Sequence, residues 1–200
     1  RDSSIRRAVM ESLDRFHDVE RTLQLNYLGA VRLINRLLPA MAENRRGHII
    51  NISSIGVLSN APRFSAYIGS KAALDAYCRC LAAEVKQYNV DISTIYMPLV
   101  RTPMIAPTKL YNYVPAYSVE QASDMVIDTA VHRTKRVKTS VGRMAEISYA
   151  LMPRVNDNIL GRAFQLFPSS AAARSGQQAP EQKVGREGMA LAYLLRGSHL

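Results

Sequence analysis

The hydrophobic positions of this 200-residue chain follow two periods, which divide its first half into helices and strands. Apolar residues recur at helical spacing over residues 18–45 and 65–88, so each stretch predicts an amphipathic helix, the first kinked or divided at Pro39. Residues 47–53 and 90–97 are short and almost continuously apolar, which is typical of strands buried on both faces. Because a helix separates these two strands, we expect them to be parallel.

The second half of the chain predicts further helices after one long connection. Residues 98–117 contain four prolines and a series of apolar side chains. A structureless stretch of this length is uncommon in a compact domain, so we interpret it as a lid with an apolar inner face. A capping-box pattern at Ser118 then predicts a helix, and a short strand near 137–141 and helical segments over 143–167 follow. The small, polar and charged composition that begins at residue 169 predicts a mobile tail over 169–200.

Candidate chemistry lies near the start of the second helix and at the end of the first strand. Tyr67 and Lys71 are four residues apart, which places a phenol and an ammonium side by side on a helix. A nearby positive charge favours the phenolate, so Tyr67 can serve as a general acid or base. Ser54 ends the first strand and opens a predicted loop over 54–64. Open α/β sheets bind ligands at this edge, where a serine hydroxyl can contact a substrate carbonyl.

Together with Asn26 on the apolar face of the first helix, these residues resemble the catalytic tetrad of the short-chain dehydrogenases/reductases, including the thirteen-residue spacing between Ser54 and Tyr67. The resemblance implies that Ser54 positions the carbonyl, Tyr67 donates the proton and Asn26 anchors the water of a proton relay. It also implies that Lys71 promotes ionisation of Tyr67 and binds the nicotinamide ribose. Cofactor contacts are further implied for the three residues Pro98, Val100 and Thr102, although this chain lacks the glycine that the family has after that proline.

The resemblance also implies the fold. We expect an α/β domain over residues 1–168, the C-terminal half of a doubly wound, Rossmann-type parallel sheet. The chain begins at Arg1 and contains no Gly-rich strand-to-helix turn for a pyrophosphate, so the N-terminal Gly-rich half is expected to be absent. We therefore interpret the chain as a C-terminal fragment and expect it to bind NADPH weakly when it is expressed alone.

A closer resemblance, to the bacterial aldehyde-forming fatty acyl-CoA reductases, rests on segments along most of the chain. It is carried by residues 4–9, 14–18, 55–58, 63–67, 97–109 and 166–170. It implies a long-chain acyl-CoA substrate and NADPH as cofactor, with NADH left open. Alternatives are a ketone or secondary-alcohol oxidoreductase with the same tetrad, and a non-catalytic module for assembly or for a lipid surface. Homo-oligomers through the helices at 18–45 and 65–88 are common in the wider family and are expected here.

Composition places the chain among ordinary globular proteins, with 48% hydrophobic and 21% charged residues, and predicts one domain. Polar residues interrupt every apolar run and the N-terminus has no signal-like segment, so we expect no membrane span and a cytoplasmic location. Cys78 and Cys80 are two residues apart on a predicted helix and cannot easily bridge. They lack a His neighbour that would generate a thiolate, so we expect helix packing rather than nucleophilic catalysis.

The chain is strongly basic, with a net charge of +10 and a pI near 9.9. Its densest basic cluster, at residues 132–138, contains no aromatic residue. Without aromatic residues among the cations, a helix-turn-helix pattern or metal-ligand spacing, we expect no nucleic-acid binding. A solvated helix end explains the cluster, and contact of these cations with the phosphates of coenzyme A or with an anionic membrane surface is left open.

Overall fold

A computed structural model describes residues 8–11, 13–103 and 116–166 of the chain. In this part of the chain three parallel strands form a sheet in the order β1 (Gly47–Ser54), β2 (Val90–Met97) and β3 (Arg136–Val137). The α-helices are α1 (Phe16–Leu23), α2 (Gly29–Glu43), α3 (Gly56–Ser59), α4 (Ser65–Glu84), α5 (Val119–His132), α6 (Ser140–Leu151) and α7 (Pro153–Leu166). A π-helical segment, Gln24–Leu28, joins α1 to α2, and 3-10 turns occur at Val9–Glu11 and Lys86–Tyr88.

Helices cover both faces of the sheet. Val90 and Ile92 of β2 point to one face and pack with α2 and α4. Asp91, between them, points to the other face, where it pairs with Arg133 at the C-terminal end of α5. The central strand β2 is therefore buried on two sides, which explains why its sequence is an apolar run rather than an alternating pattern.

The main core forms where α2 and α4 meet the sheet. It contains seven buried residues, Ile34, Leu74, Cys78, Leu81, Val85, Val90 and Ile92. The α4 members recur every three or four residues, so they form one stripe of the helix, and the opposite side faces solvent. This packing fixes the rotation of α4 about its axis, and the same rotation sets the direction of Tyr67 and Lys71 near its N-terminal end.

The α/β class, the parallel pairing of β1 with β2 and the helix that begins at Ser118 are confirmed. The Ser118 side chain accepts from Gln121 N–H, and the Gln121 side chain accepts from Ser118 N–H, so the predicted capping box is present. The absence of an N-terminal Gly-rich half stays a prediction. No helix in the described ranges is long and apolar enough to cross a membrane.

Three sequence-based assignments are wrong in detail. Residues 54–64 are not only loop, because they contain the short helix α3. The strand expected at 137–141 covers only Arg136–Val137, and α6 begins at residue 140 because the Thr139 side chain accepts from Gly142 N–H and caps that helix. Pro39 does not divide its helix, since α2 runs through it from Gly29 to Glu43.

The predicted lid and tail lie largely outside the described residues. Positions 104–115 of the 98–117 segment and the whole of 169–200 are not described. The two ends of this segment are described, and backbone hydrogen bonds connect them. Val100 and Tyr117 form a parallel bridge, Arg101 N–H donates to the Tyr117 carbonyl at 2.9 Å, and Tyr117 N–H donates to the Leu99 carbonyl at 2.8 Å.

Candidate active site

The carboxyl ends of β1 and β2 lie side by side, with Ser54 paired in register with Met97. The chain turns immediately after Ser54, and Ile55 N–H donates to the Met97 carbonyl at 2.9 Å. Ligands of open α/β sheets bind at this edge because the helices that follow the strands present their N-termini and loops there. The predicted catalytic side chains should therefore converge at this end of the sheet.

Ser54 is half-buried at this edge and keeps a free donor. Its Oγ accepts from Gly56 N–H at 3.1 Å, so the hydroxyl proton can still be donated to a ligand. Gly56 itself is tightly placed, since a Cβ there would lie 3.3 Å from both Ser54 Oγ and Ile68 Cγ1. The loop after β1 is thus packed against the turn of α4 that follows Tyr67, which holds Ser54 close to that helix.

Lys71 reaches from α4 to the end of β1. Its Nζ donates to the Ile52 carbonyl at 2.9 Å, two residues before Ser54. Burial lowers the pKa of the Lys71 ammonium below its ordinary value of 10.5. An ammonium has three N–H donors and one is used here, so two remain for a ligand at the strand edge.

Tyr67 lies one helical turn before Lys71 and is half-buried. Its hydroxyl makes no hydrogen bond with any residue that the structure describes, and it is not bonded to Ser54. A half-buried phenol with unused donor and acceptor capacity is suited to exchange a proton with a bound carbonyl compound.

Asn26 is connected to the backbone at Tyr67 through one serine. Asn26 Nδ2 donates to Ser70 Oγ at 3.0 Å, and Ser70 Oγ donates to the Tyr67 carbonyl at 2.7 Å. Ser70 is fully buried between the two helices. The Asn26 amide oxygen is left to accept a further hydrogen bond, which suits the water-anchoring role that the family resemblance implies.

Sequence reasoning missed both Ser70 and the π-helical segment that contains Asn26. In that segment Gly29 N–H donates to the Gln24 carbonyl, five residues earlier. Such segments are often found at functional sites because they insert one extra residue into a helix. The helical period of the apolar residues gives no sign of it. The position of Ser70, three residues after Tyr67, was the available signal, because a serine there bonds back to a helix carbonyl.

The residues predicted to contact the cofactor lie just after the carboxyl end of β2. Pro98, Val100 and Thr102 directly follow β2 and are half-buried. The bridge from Val100 to Tyr117 holds this segment in place. In the described residues no side-chain hydrogen bond ties Thr102 to the four catalytic candidates, so the structure places it beside the site without linking it to them.

A second polar cluster lies deeper along α4 and was not predicted. The buried Tyr96 hydroxyl donates to Asp75 Oδ1 at 2.9 Å and accepts from Arg136 Nη2 at 2.8 Å. Arg79 pairs with Asp75 at 3.2 Å, and Arg136 also pairs with Glu146 of α6 at 2.8 Å. Burial raises the pKa of Tyr96, so its proton stays on the hydroxyl. This cluster joins α4, β2, β3 and α6, and its polar atoms are bonded to one another.

The packing role predicted for the cysteines is confirmed for Cys78 and wrong for Cys80. Cys78 is a member of the main core, and burial raises the pKa of its thiol to about 11. Cys80 is exposed on the other side of α4. A thiol held in its neutral form is a poor nucleophile. Among the described residues no group of His, Cys, Asp and Glu side chains is arranged to hold a metal ion.

The fold is a parallel α/β sheet with candidate catalytic side chains at one strand edge, and sequence comparison names the family. Residues 4–110 match the short chain dehydrogenase family. The chain is also 57% identical to a fatty acyl-CoA reductase of Acinetobacter baylyi over 98% of its own length. It therefore belongs to the short chain dehydrogenase family.

Two further relatives are mycobacterial. An uncharacterized oxidoreductase of Mycobacterium tuberculosis is 45% identical over 98% of this chain. A fatty acyl-CoA reductase of the same species is 46% identical over 82% of this chain. The chain spans 65%, 58% and 57% of the lengths of the Acinetobacter protein and these two mycobacterial proteins, respectively.

Solved structures support the fold. A short chain dehydrogenase from Burkholderia cenocepacia, solved in complex with NADP, superposes with a TM-score of 0.66 at 21% identity, covering 82% of this chain and 65% of that one. A short-chain dehydrogenase from Streptomyces avermitilis gives a TM-score of 0.62 at 20% identity, with 79% and 65% covered. At such identities the likeness concerns the arrangement of helices and strands.

Proposed function

We propose that the protein reduces long-chain fatty acyl-CoA to fatty aldehyde with NADPH. The observation that supports a reductase function is the reach of Lys71 from α4 to the Ile52 carbonyl, two residues before Ser54, with Tyr67 one turn earlier on the same helix and hydrogen-bonding capacity to spare on all three side chains. The acyl-CoA substrate is supported by 57% identity to a fatty acyl-CoA reductase over nearly the whole chain. The chain spans 65% of the length of that relative, and the activity is proposed for the whole protein.

Each catalytic candidate has a role that its surroundings permit. Ser54 has a free hydroxyl proton and would donate it to the thioester carbonyl oxygen, fixing the carbonyl at the strand edge. Tyr67 would protonate the same oxygen as negative charge develops on it. The Lys71 ammonium would stabilise that charge. Asn26, linked to this turn of α4 through Ser70, would bind the water of a proton relay through which Tyr67 exchanges protons with solvent.

The residues at the site fit the nicotinamide and ribose end of a nicotinamide dinucleotide. The two spare N–H groups of Lys71 match the vicinal hydroxyls of a ribose, which are acceptors that require close, partly buried donors. Pro98, Val100 and Thr102 would contact the nicotinamide amide. When bound, this cofactor supplies a hydride. NADPH is the expected form, and NADH is the alternative.

The proposed reaction balances without a covalent enzyme intermediate. Hydride adds to the thioester carbon while Tyr67 gives its proton to the oxygen, which forms a hemithioacetal. The hemithioacetal oxygen then loses its proton to the Tyr67 phenolate, and the carbon–sulfur bond breaks. Coenzyme A leaves as thiolate and takes up a proton. One acyl-CoA, one reduced cofactor and one proton give one aldehyde, one oxidised cofactor and one free thiol.

This direct route predicts that the cysteines are dispensable. The full-length protein is incubated with NADPH and a long-chain acyl-CoA, and cofactor oxidation, aldehyde and free coenzyme A are measured together, with a 1:1:1 ratio expected. The double variant Cys78→Ala, Cys80→Ala should keep most of this activity, with a modest loss of stability from the cavity at Cys78. Complete loss of aldehyde and thiol in a folded double variant would contradict direct hydride transfer.

The same assay separates the alternative functions. Reduction of ketones without thiol release from any acyl-CoA would identify a ketone or secondary-alcohol oxidoreductase. Absence of cofactor binding by the full-length protein would favour a non-catalytic module.

We also propose self-association through α2 and α4. Leu33 and Leu37 lie one turn apart on α2 and are exposed. Light scattering of the double variant Leu33→Ser, Leu37→Ser should show a smaller assembly than the wild type. An unchanged mass would place any oligomer contact elsewhere.

A further inference from the structure

Helix α6 presents apolar side chains to solvent. Met144, Ile147 and Leu151 are 70%, 52% and 74% exposed, and their spacing of three and four residues places them in one stripe. The opposite side of α6 is already used, since a Cβ at Gly142 would lie 3.1 Å from Leu58 of α3. A surface helix ordinarily places polar residues on its outer side, so this stripe is an unpartnered apolar face.

The connection and the next helix, α7, also expose apolar side chains. Met152 in the connection is exposed, and so are Val155 and Ile159, one turn apart on α7. We call the six residues together the α6–α7 apolar face: Met144, Ile147, Leu151, Met152, Val155 and Ile159.

Unpaired cations accompany this face. Arg143, Arg154 and Arg162 are exposed, and in the described part of the chain none of them has an ion-pair partner. The only carboxylates of α6 and α7 are Glu146 and Asp157, and Glu146 is held by Arg136 and Lys138. The surface therefore combines an apolar stripe with an excess of positive charge.

We propose that the α6–α7 apolar face docks on the surface of an anionic lipid bilayer. A helix with an apolar face and bordering arginines lies in the membrane interface, where its apolar side chains enter the acyl boundary and its cations meet lipid phosphates. The proposal is independent of the proposed reaction, because binding to lipid is measured without turnover.

The positive charge beside the α6–α7 apolar face disfavours two other occupants, a second copy of the chain and its own C-terminal segment. A second copy related by a two-fold axis would bring arginines against arginines. Residues 167–200 contain four Lys or Arg and two Glu, so that segment is itself basic and offers no charge complement.

The apolar face is connected to the catalytic region. The Arg63 guanidinium lies 4.1 Å above the Phe164 ring of α7, and its Nη2 donates to the Phe164 carbonyl at 3.1 Å. Arg63 precedes Tyr67 by four residues. Phe164 is nine residues after Val155 and so lies on the opposite side of α7, which places the segment before α4 behind this helix when the apolar face is docked.

The test is flotation of the full-length protein with vesicles of phosphatidylcholine, alone or with about one third phosphatidylglycerol. Wild type should float with the anionic vesicles, and less so at high salt. The variant Met144→Ser, Ile147→Ser, Leu151→Ser should bind about tenfold more weakly, and so should Arg143→Gln, Arg154→Gln, Arg162→Gln. Ile127→Ser, Val131→Ser, at two exposed apolar positions one turn apart on α5, is the matched control and should float like wild type.

Circular dichroism confirms folding of each variant, and Leu151→Ser alone serves if the triple variant is unfolded. Three results would overturn the proposal: no flotation of the wild type, equal flotation with neutral and anionic vesicles, or undiminished flotation of both triple variants. A smaller mass by light scattering for the serine variant, without a change in flotation, would assign the face to a second copy instead.

Discussion

Helix α4 carries two sets of polar side chains that differ in how far their hydrogen-bonding capacity is used. Near its N-terminal end, the Tyr67 hydroxyl has no partner among the described residues, and Lys71 uses one of its three donors. Further along, Asp75 is bonded to Tyr96 and Arg79. Both sets are partly or fully buried, and both combine a phenol with charged groups.

The fraction of hydrogen-bonding capacity that is already used separates a reaction site from a structural cluster. A buried polar group that is fully paired contributes rigidity, because removing one partner leaves the other unsatisfied. A half-buried group with unused donors is costly unless a ligand completes it. The spare capacity at Tyr67 and Lys71 therefore points to a bound substrate and cofactor, and the saturated cluster around Asp75 points to positioning of the helix.

The largest expected effect is at Tyr67. The change Tyr67→Phe removes the transferable proton and keeps the ring, so turnover should fall by about 10²-fold or more with little change in melting temperature. The matched control is Tyr96→Phe, which removes a hydroxyl from the saturated cluster and should keep most of the turnover. Near-native rates for Tyr67→Phe in the acyl-CoA assay would remove the functional distinction between the two sets.

Lys71 provides a pH test of the same distinction. Because burial lowers its pKa, the ammonium loses its proton at lower pH than a free lysine, and kcat/KM should decline as pH rises through that lowered pKa. The variant Lys71→Arg keeps its charge to higher pH, so its alkaline decline should shift upward even if its maximal rate is lower. Profiles between pH 7 and 10.5 check this, and an unshifted decline would assign the titration to another group.

The saturated cluster should respond in stability instead of rate. Tyr96→Phe leaves the buried Asp75 with only Arg79 as partner, and we expect a loss of about 1–3 kcal/mol in the free energy of unfolding. Asp75→Asn should give a loss of similar size. Urea unfolding measures both. A variant that loses its turnover at full stability would show that the cluster takes part in the reaction.

The smallest expected effect concerns His48, a hydrogen-bonded residue at the amino-terminal end of β1. His48 shares a hydrogen bond of 2.8 Å with Ser93, and burial, followed by the charge of Arg133, lowers the pKa of its imidazole. The unfolded chain then binds more protons below about pH 6.5, so acidification through the lowered pKa destabilises the fold.

Melting temperatures between pH 7.5 and 5 should fall less for His48→Gln than for wild type. His132→Gln, at an exposed position, is the control and should follow the wild type. If melting temperature falls with pH equally in all three proteins, protonation of His48 does not contribute to acid destabilisation.

The chain predicted the fold to the extent that short-range patterns determine it. The hydrophobic patterns of α4, β1 and β2 are uninterrupted, so the sequence predicted these elements and their order. It also predicted the capping box at Ser118. The short helix α3 was not predicted, because four residues carry too little periodicity. The strand near 137 was placed too long because Thr139 starts a helix by capping, a local signal that competes with β-propensity.

The candidate site divides in the same way. Ser54, Tyr67 and Lys71 were identified from their spacing, because strand end and helix turn fix where such residues lie. Ser70 was not, since its role depends on contact with the π-helical segment, which is distant in sequence. The Asp75 cluster combines residues of α4, β2, β3 and α6. Contacts between elements that are distant in sequence cannot be predicted from a local sequence pattern.

The bridge between Val100 and Tyr117 has a consequence for how such proteins diverge. Its hydrogen bonds bring the two ends of the 98–117 segment together, so the chain leaves β2 and enters α5 from a fixed base. Lengthening a loop with tied ends costs only about 0.6 kcal/mol per doubling. Insertions, deletions and grafts between these two residues should therefore leave the strand edge undisturbed. We therefore expect residues between Val100 and Tyr117 to be replaceable while Tyr67 and Lys71 keep their positions on α4.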